Sequence, residues 1–106
     1  MTDRERIRLL NDTARQTFKG CRVLLTQGIQ SQPDLLAILE RVRDYDHFTS
    51  YNDPYGEHDF GSFQIADVTV FWKFDYYDLD LTMASLDPSD PSVTARVLTI
   101  MLADEY

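Results

Sequence analysis

The sequence has little cysteine, glycine and proline, and it lacks any long apolar run. Its 106 residues include one cysteine, four glycines and four prolines. The lone Cys21 excludes an internal disulfide and a zinc site built from several cysteines. The apolar runs are only a few residues long, whereas a membrane-spanning helix needs about 20. No secretory pattern is visible. We therefore expect a single domain over residues 1–106, in a reducing cytoplasm and with no membrane association.

Basic residues are scarce in the second half of the chain. The formal net charge is −8, and residues 44–106 carry thirteen acidic groups against only Lys73 and Arg96. An acidic surface repels phosphates, so direct nucleic-acid binding is not expected. Two interpretations stay open: the charge serves solubility and internal pairing, or it attracts a basic partner.

The first half of the chain predicts two helices with a short strand between them. Thr2 and Glu5 match a capping box, which predicts a helix over residues 2–19. Residues 21–26 are typical of a short strand, and a second capping box at Ser31 with Asp34 begins a helix that ends near residue 43. The first helix carries a basic stripe opposite its apolar side, predicted to be solvated: Arg4, Arg8, Arg15 and Lys19.

The second half predicts a loop, a hairpin and a last helix. Residues 49–58 are typical of a loop, and residues 59–65 and 68–75 alternate as a hairpin does. Residues 78–83 suggest a further edge strand. Asp90 and Pro91 predict the start of a final helix that is central in the core or meets another subunit. The predicted class is α+β: a small, mainly antiparallel sheet with helices packed on one face, in the order α-β-α-β-β-(β)-α.

The loop region places an imidazole among carboxylates. This pattern suits a metal ion or a general base, or a structural role in which Asp53 shapes the turn, His58 orders the loop by hydrogen bonds and the other acids are solvated. No recognised ligand spacing, nucleophile motif or phosphate-binding loop accompanies it. We therefore expect no catalytic residue, no tight metal site and no cofactor. The alternative is a small metal-dependent hydrolase or nuclease, which would use Asp53, Glu57, His58, Asp59 and Asp75.

Tyrosines and acids are interleaved in the same region. Tyrosine is favoured at interfaces because it supplies a large contact area at low entropic cost. This pattern predicts a surface for a basic partner, made of Asp53, Tyr55, Glu57, Asp59, Asp75, Tyr76, Tyr77 and Asp78.

Three segments resemble a small bacterial family of unknown function, carried mainly on plasmids and other mobile elements of proteobacteria. The segments are NDPYGEHDFG (residues 52–61), FWKFDYYD (71–78) and RVLTIMLADEY (96–106), and Leu10, Asn11, Asp12 and Arg15 resemble it as well. The resemblance implies a genetic setting among accessory and anti-restriction genes. It transfers no catalytic residue.

Together these features predict an acidic, non-enzymatic binding protein of anti-restriction or anti-CRISPR type. Such a protein would engage the basic nucleic-acid-binding groove of a host protein such as a defence nuclease, and a homodimer is compatible with the sequence. Besides the hydrolase, a second alternative is a plasmid regulatory or maintenance factor acting through the stripe of Arg4, Arg8, Arg15 and Lys19.

Overall fold

The computed structural model describes all 106 residues and has three helices and four strands. In chain order these are α1 (Asp3–Thr17), β1 (Arg22–Leu25), α2 (Gln27–Gln30), α3 (Leu35–Arg43), β2 (Phe60–Ile65), β3 (Val68–Tyr77) and β4 (Ala95–Leu102). A 3-10 turn, Ala103–Glu105, follows β4. The predicted α+β class is confirmed. None of the helices has the length and apolar character needed to cross a bilayer.

The four strands form one sheet in the order β1-β4-β3-β2. The predicted hairpin is confirmed, since β2 and β3 pair antiparallel around a two-residue turn. The β3 and β4 strands are also antiparallel, whereas β1 pairs with β4 in parallel. The sheet is therefore mainly antiparallel, as predicted, and the strand that comes last in the chain lies inside it.

The helices cover one face of this sheet. Trp72 has no exposed surface, and the rings of Tyr45 and Phe48 meet it edge-on at 5.4 and 6.1 Å. These two rings come from the segment after α3, so they anchor that segment to the core. The core is built from helix side chains and alternate strand residues: Ala14, Ile29, Ile38, Val42, Phe63, Val70, Trp72, Phe74, Leu98 and Ile100.

The predicted final helix after Asp90 is wrong, because residues 95–102 form the strand β4. Both Leu98 and Ile100, on one face, and Val97 and Met101, on the other, are buried. A strand that is apolar on both faces has no alternation, so its apolar pattern also fits a buried helix.

The predicted edge strand over residues 78–83 is also wrong. The Asp78 carboxylate accepts hydrogen bonds from the backbone N–H groups of Thr82 and Met83, at 2.9 and 3.4 Å, and these bonds bend the segment into a turn. Only an isolated bridge between Tyr77 and Ala84 continues the pairing.

The helix starts were predicted with mixed success. Thr2 caps α1 by accepting from the Glu5 N–H at 3.1 Å, as predicted. The helix predicted from Ser31 is wrong in its start, because the Ser31 hydroxyl donates to the Gln27 carbonyl and α3 begins only at Leu35. The short α2 fills the gap and was not predicted.

Gly61 is required by the packing of Trp72. A Cβ at this position would lie 2.5 Å from the Trp72 indole nitrogen, which is buried and has no hydrogen-bond partner. We expect Gly61→Ala to lower the free energy of unfolding by about 1–3 kcal/mol, because the ring has no room to move. Urea unfolding with the exposed neighbour Ser62→Ala as control tests this. Equal stability of the two variants would contradict the packing argument.

Candidate functional site

A buried polar network joins α1, β3, β4 and the loop before β2. Asn11 has no exposed surface and accepts from the Arg96 Nε at 2.7 Å. Its amide donates to the Glu57 carbonyl at 3.0 Å and to the Tyr76 hydroxyl at 2.8 Å. The Tyr76 hydroxyl in turn donates to the Glu57 carboxylate at 3.2 Å. The side-chain amide of Asn11 therefore bonds to the loop before β2 and to β3, and its side-chain oxygen bonds to β4.

Burial governs the ionisation of this network. It raises the pKa of the Tyr76 phenol and lowers the pKa of the Arg96 guanidinium, which lies 5.0 Å from the Tyr76 ring. Burial together with neighbouring carboxylates raises the pKa of both Glu57 and Asp59. These shifts follow from desolvation of groups that serve as hydrogen-bond partners inside the fold.

Arg15 does not belong to a solvated basic stripe, which corrects the sequence prediction. It is 2% exposed, and it donates to the Val42 and Tyr45 carbonyls at 3.1 and 2.9 Å. It also pairs with Asp12 at 3.1 Å. Its buried guanidinium ties α1 to the carbonyls at the end of α3. Of the other three stripe residues, Arg4 and Lys19 are exposed, whereas Arg8 is half-buried.

His58 clamps the loop onto α1. Its ring stacks on Phe48 with centroids 3.7 Å apart, and its Nδ1 lies 2.8 Å from the Asp12 carboxylate. The Asp53 carboxylate lies 3.6 Å from its Nε2 and accepts from its backbone N–H at 3.2 Å. These contacts hold His58 at a φ of 54°, a left-handed conformation that is uncommon for a residue other than glycine.

The five residues proposed for a hydrolase do not converge. His58 stacks against Phe48 on the side of the helices, whereas Asp75 pairs with Lys73 at 2.9 Å on the opposite face of the sheet. No group of three or more His, Cys, Asp or Glu side chains is arranged to hold a metal ion. Within the loop, Asp53 bonds to the His58 backbone N–H, and the His58 ring bonds to Asp12 of α1.

The eight residues predicted for partner binding fall in several environments. Asp53 is buried, and Glu57, Asp59 and Tyr76 are partly buried beside the polar network. Tyr55 is 69% exposed. Of the others, Asp75 and Tyr77 lie on the helix-free face of the sheet, and Asp78 orders the turn that follows β3.

Residues 78–94, here called the β3–β4 loop, display apolar side chains that sequence reasoning missed. Leu79, Met83 and Leu86 are 62%, 70% and 99% exposed. The available signal was the placement of these side chains among Asp, Ser and Pro residues, a composition typical of a loop. This signal was overlooked because the region was predicted to hold an edge strand at residues 78–83 and the start of a helix at Asp90.

Acidic side chains of the β3–β4 loop accept hydrogen bonds from backbone groups within the loop. Asp87 accepts from the Ser89 N–H at 3.1 Å, and Asp90 accepts from the Ser92 N–H at 2.9 Å. Arg96 adds a bond from its Nη2 to the Pro88 carbonyl at 2.6 Å. The loop is therefore connected to the polar network through Arg96.

The helix-free face of the sheet forms a groove of about 590 Å³. Leu24, on its rim, is 53% exposed, whereas Val97 and Met101 are almost fully buried. The groove is lined by Arg22, Leu24, Thr26, Lys73, Asp75, Tyr77, Leu81, Val97, Thr99, Met101, Glu105 and Tyr106.

The fold is that of an α+β protein with one four-stranded mixed sheet. The chain belongs to the family described as Protein of unknown function (DUF3768), whose model matches residues 25–105. This match begins after α1, so Asn11, Asp12 and Arg15 lie outside it. No curated protein and no solved structure matches the chain.

We expect Asn11→Ala to lower the free energy of unfolding by about 3 kcal/mol, because it removes an acceptor from a buried charged group. This loss exceeds the helix-propensity gain of about 0.5 kcal/mol from alanine. Gln16→Ala, on the exposed side of the same helix, is the control in urea unfolding and should change stability by less than about 0.5 kcal/mol. A neutral Asn11→Ala would show that the network is dispensable.

The raised pKa of Glu57 predicts a pH-dependent effect. The folded chain binds a proton at Glu57 more tightly than the unfolded chain, so this group contributes less stability as pH rises from its ordinary pKa through its raised one. We expect Glu57→Gln to melt at or above the wild-type Tm at pH 7. The difference should vanish below about pH 4, where the wild-type carboxyl is protonated in both states.

The control is Glu40→Gln on the exposed side of α3. A Glu57→Gln Tm that is lower than the wild-type Tm at pH 7 would mean that the ionised carboxylate stabilises the fold, contrary to this reasoning.

Proposed function

We propose that this chain is an acidic, non-enzymatic binding protein whose target presents a basic surface. The observation that carries the proposal is the β3–β4 loop, which exposes large apolar side chains between carboxylates. Leu79, Met83 and Leu86 offer apolar contact area, and Asp78, Asp80 and Asp87 lie next to Leu79 or Leu86 in the chain. Apolar anchors within a polar rim are the usual composition of a protein interface.

The order of the loop supports this proposal. A loop that is flexible when free loses entropy when it binds, and that loss weakens the complex. Here the carboxylates of Asp78, Asp87 and Asp90 accept hydrogen bonds from nearby backbone N–H groups, which favours one arrangement of the loop before binding. The apolar side chains are thereby presented at little further entropic cost.

The class of target follows from charge. Carboxylates have the same sign as nucleic-acid phosphates, so an acidic surface suits a groove evolved for DNA or RNA. We therefore propose a nucleic-acid-handling host protein as target, and an anti-defence inhibitor carried by a mobile element as the specific form. The predicted residues Tyr55 and Tyr77 are at least one-third exposed and remain candidates for contact.

The test is capture from a bacterial lysate by the immobilised full chain, followed by mass spectrometry. The triple variant Leu79→Ser, Met83→Ser, Leu86→Ser should lose the captured protein. Leu36→Ser is the matched control, because Leu36 is 81% exposed on α3, away from the loop. The captured protein should also release bound DNA or RNA when this chain is added.

The rate of association with the captured protein should fall steeply with salt. The Debye length shortens from about 10 Å at 0.1 M to about 3 Å at 1 M ionic strength. Asp80→Asn, at an exposed carboxylate that makes no hydrogen bond in the fold, should slow association without changing the Tm. Salt-insensitive binding rejects the charge mechanism, and equal capture by the triple variant rejects the loop.

A further inference from the structure

The β2 strand lies at one edge of the sheet, with β3 on one side and no strand on the other. The Phe74 N–H donates to the Asp59 carbonyl at 2.9 Å, so these two residues form a hydrogen-bonded pair. Such pairs alternate with non-bonded pairs along an antiparallel ladder. The register therefore turns the backbone N–H and C=O groups of three alternate residues away from the sheet: Phe60, Ser62 and Gln64.

These outward backbone groups have almost no partner within the chain. The exception is the Gln64 carbonyl, which the Arg41 Nη1 approaches at 3.4 Å. The side chains of Ser62 and Gln64 are exposed, so water reaches this edge. Edge strands are usually protected by charged residues or proline, and residues 60–65 contain neither. The edge is therefore free to pair with one more strand.

A groove of about 250 Å³ lies beside this edge. Ser62 and Phe63 line it on the strand, and Asp44 and Asp46 line it at the end of α3. Both aspartates are exposed, and neither carboxylate forms a hydrogen bond or an ion pair in the fold. Arg41 also lines the groove, but its guanidinium lies over the Phe63 ring at 4.6 Å. The lining is completed by Tyr45 and His47.

We infer that the β2 edge binds an extended segment of the partner as a fifth strand, with a Lys or Arg side chain directed into the groove. The inference rests on the proposed function, since the segment would belong to the basic target. In strand addition, the main-chain hydrogen bonds supply affinity, and pockets for alternate side chains supply specificity. The unpaired carboxylates of Asp44 and Asp46 favour a cation in this pocket.

The same groove disfavours a second copy of this chain at the edge. If two β2 strands paired antiparallel about Ser62, the grooves of both copies would meet beside the symmetry axis, because Ser62 lines each groove. Each copy would contribute the carboxylates of Asp44 and Asp46 but only the one guanidinium of Arg41. This excess of like charge opposes self-pairing, whereas a strand that carries Lys or Arg gains from it.

The experiment measures backbone amide exchange in the ¹⁵N-labelled full chain, with and without a synthetic peptide. The peptide has about eight residues that alternate valine and lysine, and its ends are blocked. In the free chain, we expect the outward N–H groups of Ser62 and Gln64 to exchange faster than those of Gly61 and Phe63, which bond to β3. At saturation, exchange at Ser62 and Gln64 should slow by about tenfold.

Two control peptides separate the backbone contribution from the charge contribution. The first has the same sequence but is N-methylated at every residue, so it keeps the charges and loses the backbone donors. The second replaces each lysine with glutamate, so it keeps the donors and reverses the charge. Each should bind more weakly than the parent peptide by about tenfold or more.

Variants of the chain test the same two contributions. Ser62→Pro removes an outward N–H without removing a bond to β3, a change that edge strands tolerate, and should weaken binding by about tenfold. Ser62→Ala keeps the N–H and should bind as the wild type does. The double variant Asp44→Asn, Asp46→Asn should also weaken binding, whereas Asp34→Asn, at the other end of α3, should not.

Each other outcome overturns the inference. Equal binding of the N-methylated peptide would exclude strand addition, and equal binding of the glutamate peptide would exclude the cation pocket. Unchanged exchange at Ser62 and Gln64 on addition of the parent peptide would reject the β2 edge as the site. If Ser62→Pro does not fold, the exchange data and the control peptides still decide.

Protection of Ser62 without peptide, together with a mass that doubles with concentration in sedimentation, would assign the edge to a second copy. None of these results depends on lysate capture or on the β3–β4 loop. A failure of the strand site is therefore distinguishable from a failure of the proposed function.

Discussion

The burial of Arg96 is the constraint on which the rest of the structure depends. A guanidinium in the interior must be given acceptors, because an uncompensated buried charge costs several kcal/mol. Asn11 on α1 and the Pro88 carbonyl supply them, and the Tyr76 ring lies against the charge. One residue of the central strand thereby positions the first helix, the β3–β4 loop and the neighbouring strand. Arg15 is a second buried guanidinium with backbone acceptors. Its bonds to the Val42 and Tyr45 carbonyls join α1 to the end of α3.

The segment with His58 and its neighbouring carboxylates is likewise joined to the rest of the fold by hydrogen bonds. His58 bonds to Asp12 of α1, Asp53 bonds to the His58 backbone, and the Glu57 carboxylate accepts from the Tyr76 hydroxyl. Groups that are already bonded inside the fold have little capacity left for a ligand. The surfaces that remain free lie elsewhere, on the β3–β4 loop and along the β2 edge. They combine exposed side chains with acids that are either unpaired or used to order a turn.

The sequence predicted the elements that obey simple periodicity. The first helix and its Thr2 cap, the short β1 and the β2–β3 hairpin all follow local rules of spacing and turn formation. β4 could not be recognised, because burial on both faces removes the alternation that identifies a strand. Arg15 was misjudged since its charge implies solvent, and only tertiary contacts with Val42 and Tyr45 reveal its burial. The acids of the candidate site were predicted as one surface, whereas the structure distributes them over several environments, and which of them face inward depends on the docking of α1.

The parallel pairing of β1 with β4 has a consequence for the order of folding. Arg22–Leu25 finds its partner only among residues 97–100, so most of the chain must be synthesised before the first strand has a neighbour. Synthesis proceeds at about 5–20 residues per second, which leaves this strand unpaired for several seconds. During that time the apolar side chains Val23, Leu24 and Leu25 are available to chaperones or to other nascent chains. Contacts between residues so distant in sequence also slow folding, because closing a long loop is entropically costly before any pairing compensates it.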